Sequence, residues 1–411
     1  MSLELFLKDI KTMSSLRQGL FGPHLDAFAQ RLCDQGHSYA VAGLHIRLID
    51  NFGRWLKLKR VSVEEISSEY VERYVRCWRR RRQPNGCDAS ALKHFIKFLQ
   101  EKGVIAEERA ARPQTSLELM TEEFVCYLLQ ERALSPATGK NYREFVQDFL
   151  TDRFGTRIVN FTSLCAADIL RFVQSRATGY SRRARLMPTA LRSFFRYLRY
   201  KGLIETDLAS AVPSVAQWSM ASVPKSLSSS QIELLIASRR GAAALEQRDY
   251  ATFLLLARLG LRAGEVVALT LDDIDWQEGC ITVRGKGGSW TKMPLPVDVG
   301  EAIAAYLLNA RPASEHRNVF LSAKAPVTRL TASGLSTRVE DALDAVGIDT
   351  PNRGSHLFRH SLATNMLRNG ASLAEIGELL RHRSTQTTEI YAKVDFYSLR
   401  QLALPWPGGA Q

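Results

Sequence analysis

The sequence predicts a mainly α-helical protein with two tandem small helical domains, followed by a mixed α+β domain that contains a small antiparallel sheet. Three observations lead to this prediction. A fifteen-residue segment of the first half returns 99 positions later, a stretch rich in Ser, Ala and Pro follows the second copy, and strand-like segments occur only beyond that stretch. The chain therefore has a repeated helical half and a mixed half.

The repeat consists of residues 91–105 and 190–204, in which seven of fifteen positions are identical. Both copies have the apolar spacing of an amphipathic helix, and both end at Lys-Gly, a common helix stop. Helical segments upstream correspond in the same order, 38–56 with 135–150 and 71–78 with 169–173. A chance match between two amphipathic helices is the simpler interpretation. The agreement in spacing and order favours two repeated domains, at 1–112 and 116–212.

A linker at 213–225 separates the repeats from the last domain. Its only charged residue is Lys225, and its Ser, Ala and Pro content predicts an extended segment. In the domain that follows, 226–411, the strand-like segments 281–284 and 291–294 flank Gly285-Lys286-Gly287-Gly288 and predict a hairpin. The remaining apolar patterns of this domain are helical.

The basic surplus of the chain lies in its N-terminal half. The formal net charge is +13, and residues 1–230 hold 35 Lys+Arg against 23 Asp+Glu, whereas the remainder holds 20 against 19. Residues 171–201 include nine basic side chains and no acid, and four arginines occupy 79–82. Such runs often form only a solvated face, but this imbalance favours nucleic acid as the partner. An anionic membrane surface is the weaker alternative, because core-type aromatic residues interrupt the basic stripe.

Several classes of protein are excluded by composition. The six cysteines lack CxxC or CxxH spacing, so neither a disulfide framework nor a zinc site is indicated. The N-terminus does not resemble a secretory signal, and no run of about 18 apolar residues predicts a membrane span. Asp272, Asp273 and Asp275 lack the spacing of a calcium loop and are interpreted as helix-end surface acids. We expect a cytoplasmic protein with no membrane partner, no cofactor and no metal.

Four candidate functional residues come from three neighbouring helical segments near the end of the chain. His356 and Arg359 share a face of a predicted helix that Gly370 ends. His382 follows a second helix, and Tyr391 lies in a third short helical segment, 385–394. Taken singly, a histidine or tyrosine in such a place is more often a packed core residue than a catalyst.

Two upstream cations extend this cluster. Arg262 lies at a turn between two predicted helices, and Lys286 lies at the tip of the predicted hairpin between glycines. Alone, Arg262 is most simply a surface ion-pair residue and Lys286 a solvated turn lysine. Together with the four residues near the end of the chain, they form a coherent set for one reaction.

The order of these motifs resembles the tyrosine recombinase (phage integrase) family. It comprises Gly-Leu-Arg-x-x-Glu, the hairpin lysine, His-x-x-Arg-His-Ser, Leu-Leu-x-His and a tyrosine nine residues later, over about 230–395. The Ser135-x-x-Thr138 unit resembles the family's core-binding, SAM-like domain. The resemblance implies a site-specific DNA recombinase of the XerC/XerD type with an extra N-terminal helical domain. It implies a 3′-phosphotyrosyl intermediate and favours a mobile-element integrase or transposase.

The resemblance also implies roles for the six residues. Tyr391 is the expected nucleophile, and Arg262 and Arg359 are expected to clamp the non-bridging phosphate oxygens, since guanidinium forks match that geometry. A tyrosine with a pKa of about 10 is protonated at neutral pH and needs a base and a positive field. His356 is expected to accept the Tyr391 proton.

The resemblance implies a general acid, a further phosphate contact and two supporting residues. Lys286 is the expected general acid for the departing 5′-hydroxyl, and His382 completes the phosphate pocket. Glu265 resembles a supporting residue of the arginine turn, and His360 is expected to pack or orient.

Double-stranded DNA is the expected partner, bound by a homotetramer or by a tetramer mixed with sister recombinases. The candidate DNA contacts are basic residues of the second repeat: Lys140, Arg143, Arg182, Arg183 and Arg185. Two other functions remain open at this point. One is a type IB topoisomerase-like nicking and closing enzyme, and the other is a non-catalytic DNA-binding protein.

Overall fold

The computed structural model describes residues 10–79, 88–106, 116–155, 159–176, 182–214, 226–285, 288–351, 353–382 and 384–394. These residues are mainly helical and include one three-stranded antiparallel sheet, which confirms the predicted fold class. Among them, no helix combines the length and apolar character that crossing a bilayer requires.

Within its described residues, the first helical domain has five helices around a core of its own. That core is dominated by aromatic and aliphatic side chains of α2, α3 and α5, among them Phe28, Phe52 and Phe95, none of which is exposed. The helices are α1 (Ile10–Arg17), α2 (Gly22–Asp34), α3 (Tyr39–Leu58), α4 (Ser68–Arg79) and α5 (Asp88–Glu101).

The described part of the second helical domain has four helices and a separate core, in which Phe124, Phe149 and Phe194 are buried. The helices are α6 (Ser116–Gln130), α7 (Pro136–Phe154), α8 (Ala166–Arg176) and α9 (Arg182–Tyr200), with a 3-10 turn at Phe161–Ser163. The order α6 to α9 corresponds to the order α2 to α5.

The two helical domains share their capping interactions. Ser38 and Ser135 have nearly the same backbone angles, and each accepts a hydrogen bond from the N–H three residues on, which starts α3 and α7. At the other end, α5 and α9 stop at Gly103 and Gly202, with φ of +70° and +69°. Both glycines complete the same pair of hydrogen bonds to the preceding turn. The repeat is therefore a structural repeat as well.

The C-terminal domain packs its helices around the apolar helix α11, with a small sheet. Strands β2 and β3 pair antiparallel with Ile281 opposite Met293, and β1 pairs with the other edge of β2. The elements are α10 (Ser229–Ala237), α11 (Ala244–Arg258), α12 (Ala263–Ala268), β1 (Ile274–Asp275), β2 (Cys280–Arg284), β3 (Trp290–Pro294), α13 (Val297–Asn309), α14 (Ala332–Ala345), α15 (His356–Arg368) and α16 (Leu373–Leu379), with 3-10 turns at Leu271–Asp273, Thr385–Thr387 and Glu389–Val394.

The strand β1 corrects one expectation about the acidic residues. Asp272 and Asp273 lie in a short 3-10 turn, where they bond Arg317 and Thr270. Asp275, predicted at a helix end, lies in β1, and its carboxylate accepts hydrogen bonds from the N–H groups of Gln277 and Glu278. The difference arises because a two-residue strand is too short to show an alternating pattern.

Contacts divide the chain into two compact units, Met1–Ala106 with Met220–Gln411, and Glu107–Ser219. Within the first unit, the helical domain and the C-terminal domain keep separate cores, and the N–H of Val327 donates to the carbonyl of Gln35 at 3.0 Å. The boundaries at 112 and 225 fall outside the described residues, and the proposed domain limits stay a prediction.

The two helix-ending glycines should have equal importance for stability. Gly103→Ala and Gly202→Ala should each lower the free energy of unfolding by about 1 kcal/mol, because a Cβ meets no atom at either site and only the left-handed backbone is penalised. Gly139→Ala within α7 is the control and should be neutral or stabilising, since its Cβ finds only ordinary contacts. Urea unfolding followed by circular dichroism measures all three, and a cost confined to one glycine would contradict the repeat.

Candidate active site

The turn between α11 and α12 presents Arg262. The backbone N–H of this residue donates to the Glu265 carboxylate at 2.9 Å, and its Nη1 donates to the other carboxylate oxygen at 2.7 Å. The preceding Gly260 has φ of +57°, and a Cβ there would lie 2.8 Å from Leu380 and 2.9 Å from Leu362. Only glycine therefore allows this turn to pack directly against α15 and the end of α16.

Arg359 is held rigidly inside the domain. Only 4% of its surface is exposed, and its guanidinium donates to the backbone carbonyls of Gly260 and Leu380. These bonds join the Arg262 turn, α15 and the end of α16 at one point. Burial, and then the charge of Arg262, lower the pKa of Arg359 to about 10, so the guanidinium stays protonated at neutral pH.

Tyr391 is buried beside His360. Its exposed fraction is 1%, and its hydroxyl lies 3.0 Å from Nδ1 of His360, a residue of α15. Burial raises the pKa of Tyr391 to about 12, although the charges of Arg359 and Arg262 act in the opposite direction. Burial, followed by the fields of His356 and Arg359, lowers the pKa of His360 to about 4. In the free protein Tyr391 is therefore protonated and the His360 imidazole that it contacts is neutral.

His382 and His356 belong to the same region as this pair. Nδ1 of His382 is 2.7 Å from the hydroxyl of Thr388, and burial and the charge of Arg359 lower the pKa of His382 to about 4. The His356 ring is 6.4 Å from that of His360, between ring centroids. His356 also borders a cavity of about 520 Å³, whose polar lining includes Arg262, Glu265, Arg284, Ser333, Ser336 and Ser355.

The structure brings five of the six predicted site residues into one region. Arg262 and Arg359 are near enough for their charges to lower the pKa of both Tyr391 and His382, and His356 lies beside His360. The sixth, Lys286, lies outside the described residues. The hairpin that carries it leaves β2 at Arg284 and Gly285, which both border the cavity. The roles of the six site residues in a reaction stay predictions.

Two residues make contacts at the site that the sequence did not predict. His360, expected to pack or orient, is the imidazole in contact with Tyr391, whereas His356 was expected to accept the tyrosine proton. Arg381 was not singled out at all, although its side chain is 12% exposed and bonds Glu265 at 2.9 Å. The only sequence signal for Arg381 is its position directly before His382.

The candidate DNA contacts of the second helical domain are described in part. Lys140 is exposed on α7, and Arg143 of the same helix pairs with Glu122 at 2.7 Å. The side chains of Arg182, Arg183 and Arg185 lie outside the described residues. No group of His, Cys, Asp and Glu in the described parts of the chain is arranged to hold a metal ion.

Two family profiles match the chain. The profile of the phage integrase family covers residues 225–397, which include all six candidate catalytic positions. The profile of the phage integrase N-terminal SAM-like domain covers residues 121–202, within the second helical domain.

Similar proteins extend these matches. The chain is 45% identical over 397 residues to y4rA of Sinorhizobium fredii, described as an integrase/recombinase, with 96% of each chain covered. It is 32% identical over 292 residues to the tyrosine recombinase XerD of Listeria monocytogenes, covering 69% of this chain and 96% of XerD.

Solved structures share the fold at lower identity. The XerH site-specific recombinase, in a post-cleavage complex with its palindromic difH substrate, is 19% identical with a TM-score of 0.56, and the match covers 71% of this chain and 90% of XerH. The Tn1549 transposon integrase in complex with right-end DNA is 19% identical with a TM-score of 0.52, over 69% and 98% of the two chains.

The half-buried His360 imidazole should make stability depend on pH. Its pKa is lower in the folded protein than the reference of about 6.5, so its contribution is fully present above pH 6.5 and is lost as pH falls towards 4. We expect wild-type protein to lose roughly 1 kcal/mol between pH 7.5 and 5.5 from this group alone. His360→Gln should remove that part of the loss.

Urea unfolding at the two pH values measures the effect. His316→Gln, which removes an exposed imidazole, is the control for the substitution itself. An unchanged difference between the two pH values in His360→Gln would show that His360 is not held neutral by the fold.

Proposed function

Because the chain belongs to the phage integrase family of tyrosine recombinases, as its sequence predicted, we propose that Tyr391 carries out its cutting and rejoining of DNA. The site-specific reaction would run through a 3′-phosphotyrosyl intermediate. The observation that carries this assignment is the buried Tyr391 hydroxyl, which contacts His360 within the field of Arg359 and Arg262. A phenol that only packed in a core would not need two guanidinium groups beside it.

The first step forms a bond between the Tyr391 oxygen and the DNA phosphorus and breaks the bond from phosphorus to the 5′-oxygen. Negative charge gathers on the non-bridging oxygens, which Arg262 and Arg359 stabilise through their remaining N–H groups. The two carbonyls that hold Arg359 fix its orientation before DNA arrives, so little reorganisation is needed. The covalent link conserves the energy of the broken bond, and attack by a 5′-hydroxyl reverses the step.

The proton of Tyr391 passes to His360 in this proposal. His360 is the imidazole within hydrogen-bond distance, and its low pKa leaves it neutral and able to accept. His356, at the border of the cavity, and His382, oriented by Thr388, would contact the phosphate. Lys286 would protonate the departing 5′-oxygen, since its hairpin begins at the same cavity.

The proposed substrate is double-stranded DNA, bound by four protomers of this chain or by a tetramer mixed with sister recombinases. The similarity to y4rA and to XerD over most of their lengths supports this proposal. An integrase of a mobile element is the more specific proposal. The second helical domain would supply phosphate contacts through Lys140 and Arg143 of α7.

The proposal predicts a covalent adduct between the protein and cut DNA. Nicked suicide duplexes of randomised sequence lose the short fragment that carries the new 5′-hydroxyl after cutting, so they should trap the protein on the 3′ end that remains. Tyr391→Phe should remove the adduct completely. The control Tyr200→Phe removes an exposed phenol and should keep it.

Denaturing gels and sequencing of the captured DNA read out this experiment. Adduct formation by Tyr391→Phe, or no adduct with any duplex of the pool, would contradict the proposed nucleophile. Transfer of the captured strand to a second duplex separates recombination from nicking and closing.

The ion pair between Arg143 of α7 and Glu122 of α6 predicts that Lys140 and Arg143 contribute unequally to DNA affinity. Lys140→Ala should weaken binding of a 30-base-pair duplex and reduce the slope of log affinity against log salt by about 1, as for one lost phosphate contact. Arg143→Ala should have a smaller effect because Glu122 already pairs with it. Glu122→Gln should strengthen binding.

Fluorescence anisotropy across a salt series measures these affinities. The same slope of log affinity against log salt in the wild type and in Lys140→Ala would show that Lys140 of α7 does not contact DNA.

A further inference from the structure

Arg381 occupies a backbone position that favours glycine. It follows α16 with φ of +54°, its N–H bonds the Glu378 carbonyl, and the N–H of His382 bonds the Gly377 carbonyl. This pair of bonds is the Schellman motif, in which the left-handed residue is usually glycine. Other described helices end in the same motif with a glycine: Gly36, Gly103, Gly202, Gly347 and Gly370. An arginine here keeps a conformation that a Cβ disfavours.

The guanidinium of Arg381 is directed into the active site. Its Nη2 donates to Glu265 at 2.9 Å, and only 12% of the side chain is exposed. By contrast, Arg60 ends α3 in the same backbone conformation but is exposed to solvent. The strained backbone and buried charge of Arg381 thus occur together at the site, where such features often serve function.

Glu265 is shared between two arginines. One carboxylate oxygen accepts from the Arg262 guanidinium and the other from Arg381, and the carboxylate is 5% exposed. With Arg262 alone, the buried carboxylate would cancel the charge that this arginine presents to DNA. With Arg381 present, two guanidinium groups face one carboxylate, and a net positive charge remains beside Arg359.

We propose that Arg381 is a positioning residue for the cutting step, which neutralises Glu265 so that Arg262 stays oriented and charged towards the scissile phosphate. It also joins the Arg262 turn to the segment that carries His382, its next residue. This inference rests on the proposed roles of Arg262 and Tyr391. It assigns no contact between Arg381 and DNA.

Arg381→Gly separates function from structure, because glycine removes the guanidinium and also relieves the left-handed backbone. We expect its thermal midpoint to equal or exceed that of the wild type, while the rate of adduct formation on saturating suicide duplex falls about 10- to 100-fold. The affinity for uncut duplex should change less than threefold. Wild-type adduct rates in Arg381→Gly, or a midpoint that falls together with the rate, would overturn the proposal.

A double-mutant cycle with Glu265→Gln tests the mechanism. Once residue 265 has no charge, Arg381 has nothing to neutralise, so adding Arg381→Gly should change the rate less than threefold. An equal rate loss in both backgrounds would overturn the role through Glu265. The adduct assay with Tyr391→Phe is run in parallel, so that a wrong nucleophile is recognised separately from a wrong role for Arg381.

Discussion

The arrangement of the site depends on one buried guanidinium. Arg359 donates to the carbonyls of Gly260 and Leu380, and no other described group joins the Arg262 turn, α15 and the end of α16 in this way. A buried charge is tolerated only when its donors are satisfied, so these carbonyls must be in place whenever the domain is folded. The position of Arg359, one of the two proposed phosphate-binding arginines, is therefore fixed by the fold before DNA binds.

Burial of Tyr391, the proposed nucleophile, keeps its hydroxyl protonated in the free protein. Tyr391 holds its proton, with its pKa raised to about 12, while His360 is neutral, with its pKa lowered to about 4. Proton transfer becomes favourable only as the tyrosine oxygen bonds to phosphorus and loses its affinity for the proton. Chemistry in this scheme is coupled to correct placement of the scissile phosphate, which limits attack by a free phenolate.

Much of the fold could be predicted because its determinants are local. The serine caps of α3 and α7, the glycines that end α5 and α9, and the apolar spacing are visible in the sequence. The two-residue strand β1 was missed because it has no pattern of its own and exists only through its pairing with β2. The order of the site motifs was sufficient to predict the family.

The contacts within the site could not be predicted in the same way. His356 and His360 lie one turn apart on α15, and only tertiary packing determines that His360 contacts Tyr391. The left-handed backbone of Arg381 is likewise invisible in sequence. The proposed mechanism is tested most directly by a crystal structure with cut DNA ends and vanadate, which mimics the five-coordinate phosphorus. We expect the Tyr391 oxygen at one apex and Arg262 and Arg359 on the equatorial oxygens. Any other side chain at that apex would contradict Tyr391 as the nucleophile.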